Sequence, residues 1–129
     1  MTEEDLLRKA YAAFNARNLE GALQTMAPNV VWPNGMEGGT VQGHAGVREY
    51  WTRQWKMIDP HVEPKVFRRE PDGRIAISVH QVVKDLAGKT LLDQMIEHVY
   101  RIRNGLIENM EIRKPETEAW LCGWRLAAI

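Results

Sequence analysis

The residues with chemistry to offer cluster near the Asn104-Gly105 dipeptide, with His98, Tyr100, Asn109 and Glu111 around it. Asn-Gly between two apolar-containing runs is the strongest short-range signal for a two-residue β-hairpin. With those two as turn residues, Arg103 pairs with Leu106, and counting outward sets Ile102 against Ile107, Tyr100 against Asn109 and His98 against Glu111. Alternate residues of a strand share a face, so these six side chains are expected on one wall. Val99, Met110 and Ile112, the Arg101–Glu108 pair and Arg103 with Leu106 fall on the other. A histidine beside a carboxylate on a sheltered wall is an acid–base device, the carboxylate fixing the imidazole tautomer and steadying its protonated form. The same pair could equally be a polar contact that only holds register, and the assignment stands or falls with the turn, since a one-residue slip exchanges the two faces.

The preceding strand extends the wall. A four-residue loop at 86–89 sets Gln81 against Gln94 and Ile77 against His98, and leaves His80 outside near Glu97 unless a bulge reverses it. Tyr11, Phe14, Trp32, Trp51 and Trp55 can line an apolar cavity or simply pack a core. His44 lies at a glycine-rich helix start, where it either caps the helix or touches a ligand; His61, after Pro60, reads as a solvated loop residue. There is no His-x-His, no His-Glu-x-x-His and no cysteine pair, so no metal site is expected. Cys122 has no histidine near it in sequence and is a poor nucleophile candidate. The glycines of 35–46 lack the spacing and the following Lys-Ser/Thr of a phosphate loop.

These candidates need elements to hold them. In a chain of 129 residues, one domain is the expectation. The content of 44% apolar and 26% charged residues excludes wholesale disorder. Seventeen basic residues against seventeen acidic ones argue against a nucleic-acid or membrane-surface binder. The lone cysteine, the acidic start and the lack of a long apolar run give the expectation of a soluble cytoplasmic protein. Helical spacing predicts α-helices over 2–17, after Asn18, and near 45–58, with Val47, Trp51, Gln54, Trp55 and Ile58 on one face of the third. Val30-Val31-Trp32 reads as a short strand. Beyond residue 60 the period changes to alternation: strands over 62–69 (Pro64 suggesting an edge or a bulge), 74–85, 90–103 and 106–113, then a short helix at 116–122. Helices first and an antiparallel meander after predict an α+β fold, three helices on one face of a strongly curved sheet that encloses a pocket like a cone.

The pattern Ala-Tyr-Ala-Ala-Phe-Asn-Ala-Arg-Asn-Leu-Glu-Gly-Ala-Leu over 10–23, the Gly43-His44-Ala45-Gly46-Val47 segment and Tyr100 to Glu108 resemble the nuclear transport factor 2-like superfamily, in its SnoaL-like, ketosteroid-isomerase-like branch. The resemblance covers nearly the whole chain and implies the cone fold, with a family that mixes isomerases, cyclases, hydrolases, dehydratases and binding proteins. It also implies a His and an acid on the last two strands, here His98 and Glu111, with Glu where the family's cyclases carry Asp. Two functions follow as expectations. In one, cofactor-independent proton transfer acts on a small apolar or polycyclic carbonyl compound, run by His98 and Glu111 with Tyr100 or Asn109 donating to the enolate oxygen. In the other, the cone binds an apolar ligand without chemistry, or the domain only dimerises. An epoxide-hydrolase variant is poorer, because Asp93 falls on the outer face. A homodimer through that face is expected from Val99, Met110 and Ile112 there, and the resemblance implies the same.

Overall fold

The computed structural model describes residues 2–35 and 37–113. The helix expected over 116–122, with Cys122, lies outside the described residues. Elements follow in the order α1 (Glu3–Asn15), α2 (Leu19–Leu23), β1 (Met26–Pro33), β2 (Thr40–Gln42), α3 (Gly43–Met57), β3 (Asp59–Arg69), β4 (Ile75–Lys84), β5 (Thr90–Arg103) and β6 (Leu106–Arg113). The strands form one sheet in the order β2-β1-β6-β5-β4-β3. It is an α+β fold with a curved sheet, as the change of period predicts. The sheet is antiparallel except at one seam, where β1 runs parallel to β6. A chain-order meander does not foresee that pairing, because α3 and the strands β2 to β5 separate β1 from β6 in sequence.

Local chemistry accounts for the helices. Thr2 and Asp5 form a complete capping box at the start of α1, and the Asn18 side chain accepts from the Gly21 amide to start α2. Leu7, Phe14, Leu23, Val47 and Trp51 are buried from the helix side, and Val30, Val62, Ile77, Val79 and Ile107 from the strand side, so helices and sheet share one core. His44 donates from Nε2 to the Met26 carbonyl at 2.9 Å, so it ties the start of α3 to the start of β1.

At Val62, edge strand β3 is closed off by a single side chain. Asn15, at the end of α1, donates to the Val62 carbonyl at 2.7 Å and accepts from the Val62 amide at 3.0 Å. It thereby occupies the backbone groups that an edge strand otherwise offers to another chain. Pro64 sits where the strand's register breaks, between Pro64 and Val66, at both an edge and a bulge. Asn15→Ala is expected to lower stability by about 1–3 kcal/mol in urea denaturation, since two half-buried backbone groups lose their partner. The Val62 amide should then exchange with solvent faster than those of β4.

The hairpin register holds for two pairs and then slips. Asn104 and Gly105 both have positive φ, 53° and 76°, as a type I′ turn requires. Arg103 pairs with Leu106 and Ile102 with Ile107, but the next pairs are Arg101 with Asn109, Tyr100 with Met110, Val99 with Glu111 and His98 with Ile112. Glu108 is the extra residue of a β-bulge. The expected pairings of Tyr100 with Asn109 and of His98 with Glu111 are therefore corrected, and Asn109 and Glu111 stand on the outer face. The reason is burial. The unbroken register would turn Asn109 and Glu111 toward the helices and Met110 and Ile112 to water. The bulge puts Met110 at 2% exposure and packs Ile112 against the core, where a buried side chain of this kind contributes about 1.5–3 kcal/mol. Glu111 meanwhile reaches Arg74 at 3.2 Å, and Glu108 meets Arg103 rather than Arg101. Of the three residues expected to give the outer face its apolar area, Met110 and Ile112 thus face the helices.

Candidate active site

Upstream of the bulge the predicted wall is intact. Gln81 faces Gln94 and Ile77 faces His98, and Gln94 donates to the Gln81 side-chain oxygen at 3.2 Å. His80 lies on the outer side, where Asp93 at 2.7 Å is its partner in place of Glu97. His61 is exposed on β3 rather than in a loop.

On the inner side, β5 brings His98 and Tyr100 under α1, and the two meet Tyr11. Tyr100 donates to the Tyr11 hydroxyl oxygen at 2.9 Å, and Tyr11 lies 2.7 Å from His98 Nδ1. With Tyr100 donating to it, Tyr11 has its own proton left for Nδ1, so the imidazole carries its hydrogen on Nε2. All three side chains are buried, at 2% exposure or less. Burial pulls the His98 pKa down to about 3. Burial, and then the neighbouring Tyr100, push the Tyr11 hydroxyl well above its ordinary value, and burial raises that of Tyr100. The triad is neutral across the whole physiological range. The Tyr11 and His98 rings are stacked within 4° of parallel, with centroids 5.9 Å apart, which fixes the direction of Nε2.

The tryptophans extend this polar triad into one contiguous set of rings. Tyr100 meets Trp32 at 6.1 Å, Trp32 meets Trp51 at 5.6 Å, and Phe14 lies 5.0 Å from Trp51 and 5.4 Å from Trp55. So Tyr11, Phe14, Trp32, Trp51, Trp55, His98 and Tyr100, all expected at the site, are brought together. Glu111 and Asn109 are not, and His44 is committed to its bond with Met26. Gln81 and Gln94 line the same inner face of the sheet, further along β4 and β5 from the turn.

Four buried polar atoms on these residues have no partner among the described residues: His98 Nε2, Trp51 Nε1, Trp55 Nε1 and Gln94 Oε1. A buried donor or acceptor left unmade costs about 1–3 kcal/mol, and such orphans in one ring cluster mark where an outside group belongs. What the arrangement can do is donate. Three N–H groups with an apolar surround suit a molecule that carries oxygen acceptors on an apolar body. No group of three or more His, Cys, Asp or Glu able to hold a metal ion occurs among the described residues, and no helix among them is long and apolar enough to cross a membrane.

Sequence reasoning missed the Tyr11 contact with His98, which joins residues 87 positions apart. The bulge did leave a signal: Ile107 and Met110 are three apart, out of the step of two that Met110 and Ile112 keep.

The family model described as "SnoaL-like domain" matches residues 7–110. Among solved structures, TerC, crystallised with polyporic acid, is 29% identical, covering 88% of this chain and 91% of its own, with a TM-score of 0.76. An NTF2-like protein from Burkholderia pseudomallei K96243 is 28% identical over 89% of this chain and 92% of its own, also at 0.76. RV0760c from Mycobacterium tuberculosis, solved in complex with estradiol-17beta-hemisuccinate, shares the fold at 21% identity, a TM-score of 0.73, and coverage of 86% of this chain and 92% of its own. No curated protein matches the chain.

Proposed function

Because this chain belongs to the SnoaL-like domain family, we propose that it is a small-molecule protein that binds an apolar carbonyl compound against its aromatic cluster and polarises the carbonyl through His98. The observation that carries this reading is the buried, unpartnered Nε2–H of His98, whose other ring nitrogen is held by Tyr11 and, through it, by Tyr100. A neutral imidazole donor whose proton position is set by a hydroxyl on its other nitrogen stabilises a developing enolate oxygen without first having to lose a charge. Apolar walls strengthen that bond by excluding water. Small organic molecules in the crystals of TerC and RV0760c support a ligand of this size. The chemistry this favours is isomerisation, cyclisation or a related lyase step by proton transfer next to the carbonyl, the α-proton passing to a solvent water because Glu111 stands on the outer face. His98 serves as the electrophilic group, where the sequence alone had suggested a His–carboxylate dyad.

A second reading, ligand binding without turnover, is favoured by one specific observation. The inner wall of β6 carries Ile107, Met110 and Ile112, so the carboxylate expected to act as base is on the outer face. Proton NMR in D2O separates the two. With a panel of cyclic ketones from α-tetralone to polycyclic diones, the wild type is expected to exchange protons α to the carbonyl. His98→Gln and Tyr11→Phe should each slow exchange at least tenfold at unchanged fold. Binding detected by tryptophan quenching with no exchange would establish the binding reading; neither binding nor exchange across the panel would overturn both.

A further inference from the structure

From Arg17 and the cleft around it we infer that the ligand of this site carries a carboxylate, bound at the rim while its apolar body meets the ring cluster; the inference rests on the site reading above. Arg17 stands in the left-handed region, at φ 60°, immediately after the C-cap of α1. Its amide bonds the Phe14 carbonyl, and the Asn18 amide bonds that of Ala13. This is a Schellman end, where glycine is the usual occupant. The chain keeps an arginine there, and the backbone turn throws its guanidinium over the site's own aromatics, 5.6 Å from the centre of Phe14 and 5.3 Å from that of Trp55. A residue in an uncommon conformation whose side chain lies on candidate binding residues is a specific pointer to use.

The surroundings indicate the charge of what is bound. Arg17 lines a cleft of about 220 Å³ with Asn15, Asp59, His61 and Lys84. Asp59 is the only acid among the described residues of that lining; it pairs with Arg17, and Lys84 stands directly opposite it across β3 and β4. Two permanent cations, Arg17 and Lys84, therefore stand beside one carboxylate. The Asp59 side chain is 59% exposed and that of Arg17 is 31%, so an incoming carboxylate can take up the guanidinium's remaining donors or displace Asp59 without unpacking the core. Arginine is suited to this because its planar fork meets a carboxylate through two hydrogen bonds and its face still stacks on rings.

The test is a set of matched pairs: 2-naphthoic acid, 1-pyrenebutyric acid and estradiol hemisuccinate, each against its methyl ester, followed by quenching of tryptophan fluorescence in the full chain. Wild type is expected to bind the acid of at least one pair ten times or more tighter than its ester. In Arg17→Gln, which keeps a polar side chain but loses the charge, that ratio should fall to within twofold of one. In Arg17→Gly, which suits the backbone better, it should fall likewise while the melting temperature holds or rises. Esters bound as tightly as acids by wild type would overturn the inference and leave the ring-cluster site standing. So would an acid preference that survives in both variants. No quenching by any member of any pair would overturn the site reading and this inference with it.

Discussion

Trp51→Ala is expected to remove a large share of the protein's stability, about 3–5 kcal/mol. The indole is 1% exposed and touches Phe14, Trp32 and Trp55 through ring contacts of 5.0, 5.6 and 5.7 Å. Emptying such a position costs about 3–5 kcal/mol, because the transfer energy is lost and the rigid neighbours cannot close the void. The total stability of a domain of this kind is only about 5–15 kcal/mol. The contacts also join three elements, since Phe14 belongs to α1, Trp32 to β1 and the two other indoles to α3, so the loss is felt across the whole helix layer. Trp51→Phe fills part of the volume and should cost less than half as much. Urea denaturation followed by far-UV circular dichroism gives both numbers. A midpoint for Trp51→Ala within 0.5 M of wild type would show that the rings are not the core of this fold.

The second large effect is on acid stability, through His98. The native imidazole has a pKa of about 3 against an ordinary 6.5, because burial penalises its charged form. Between those two values the unfolded chain holds a proton that the native state does not. The stability that depends on a neutral His98 is therefore complete above pH 6.5 and is lost as the pH falls toward 3. At full slope, one such group removes about 1.4 kcal/mol for each pH unit. Glu20 and Glu37, held below their ordinary values by hydrogen bonds from Arg48 and Arg53, add losses of the same sign lower in the range. The difference between wild type and His98→Gln isolates the histidine. Unfolding free energies measured from pH 7 to pH 4.5 should fall less steeply in His98→Gln by about that slope, and the two curves should converge toward the acid end. Parallel curves across this range would mean that His98 is accessible enough to titrate normally in the folded protein, which would also remove the basis for its role as a neutral donor.

Both effects depend on the ring cluster, and the sequence went a long way toward it. Helical spacing over the first 57 residues and alternation after residue 60 are local properties, set by which side of each element must leave water. They placed α1, α3 and the four long strands within a few residues of where they stand. Capping chemistry at Thr2 and Asn18, and the demand for positive φ at Asn104-Gly105, are local as well. The pairing of Gln81 with Gln94 and of Ile77 with His98 came out as counted from a four-residue loop, although the ladder shifts register near the turn, between Val83 and Lys84.

Counting failed where a choice was made by the whole fold. At Glu108 the strand gained one residue, and Met110 and Ile112 went under the helices in place of Asn109 and Glu111. Turn geometry gives no hint of this, since the first two pairs are the ones it dictates. Only the presence of a helix layer above one face makes burying Glu111 costly and burying Met110 favourable. The partner of His98 was decided the same way. Tyr11 sits on the first helix and His98 on the fifth strand, and packing that helix across the sheet brings a hydroxyl to Nδ1 and leaves Nε2 facing inward. Sequence alone determined the elements and, short of the bulge in β6, which of their faces would be buried. Tertiary structure decided which polar groups met, because a hydrogen bond across 87 residues is set by the docking of layers and by no periodicity along the chain.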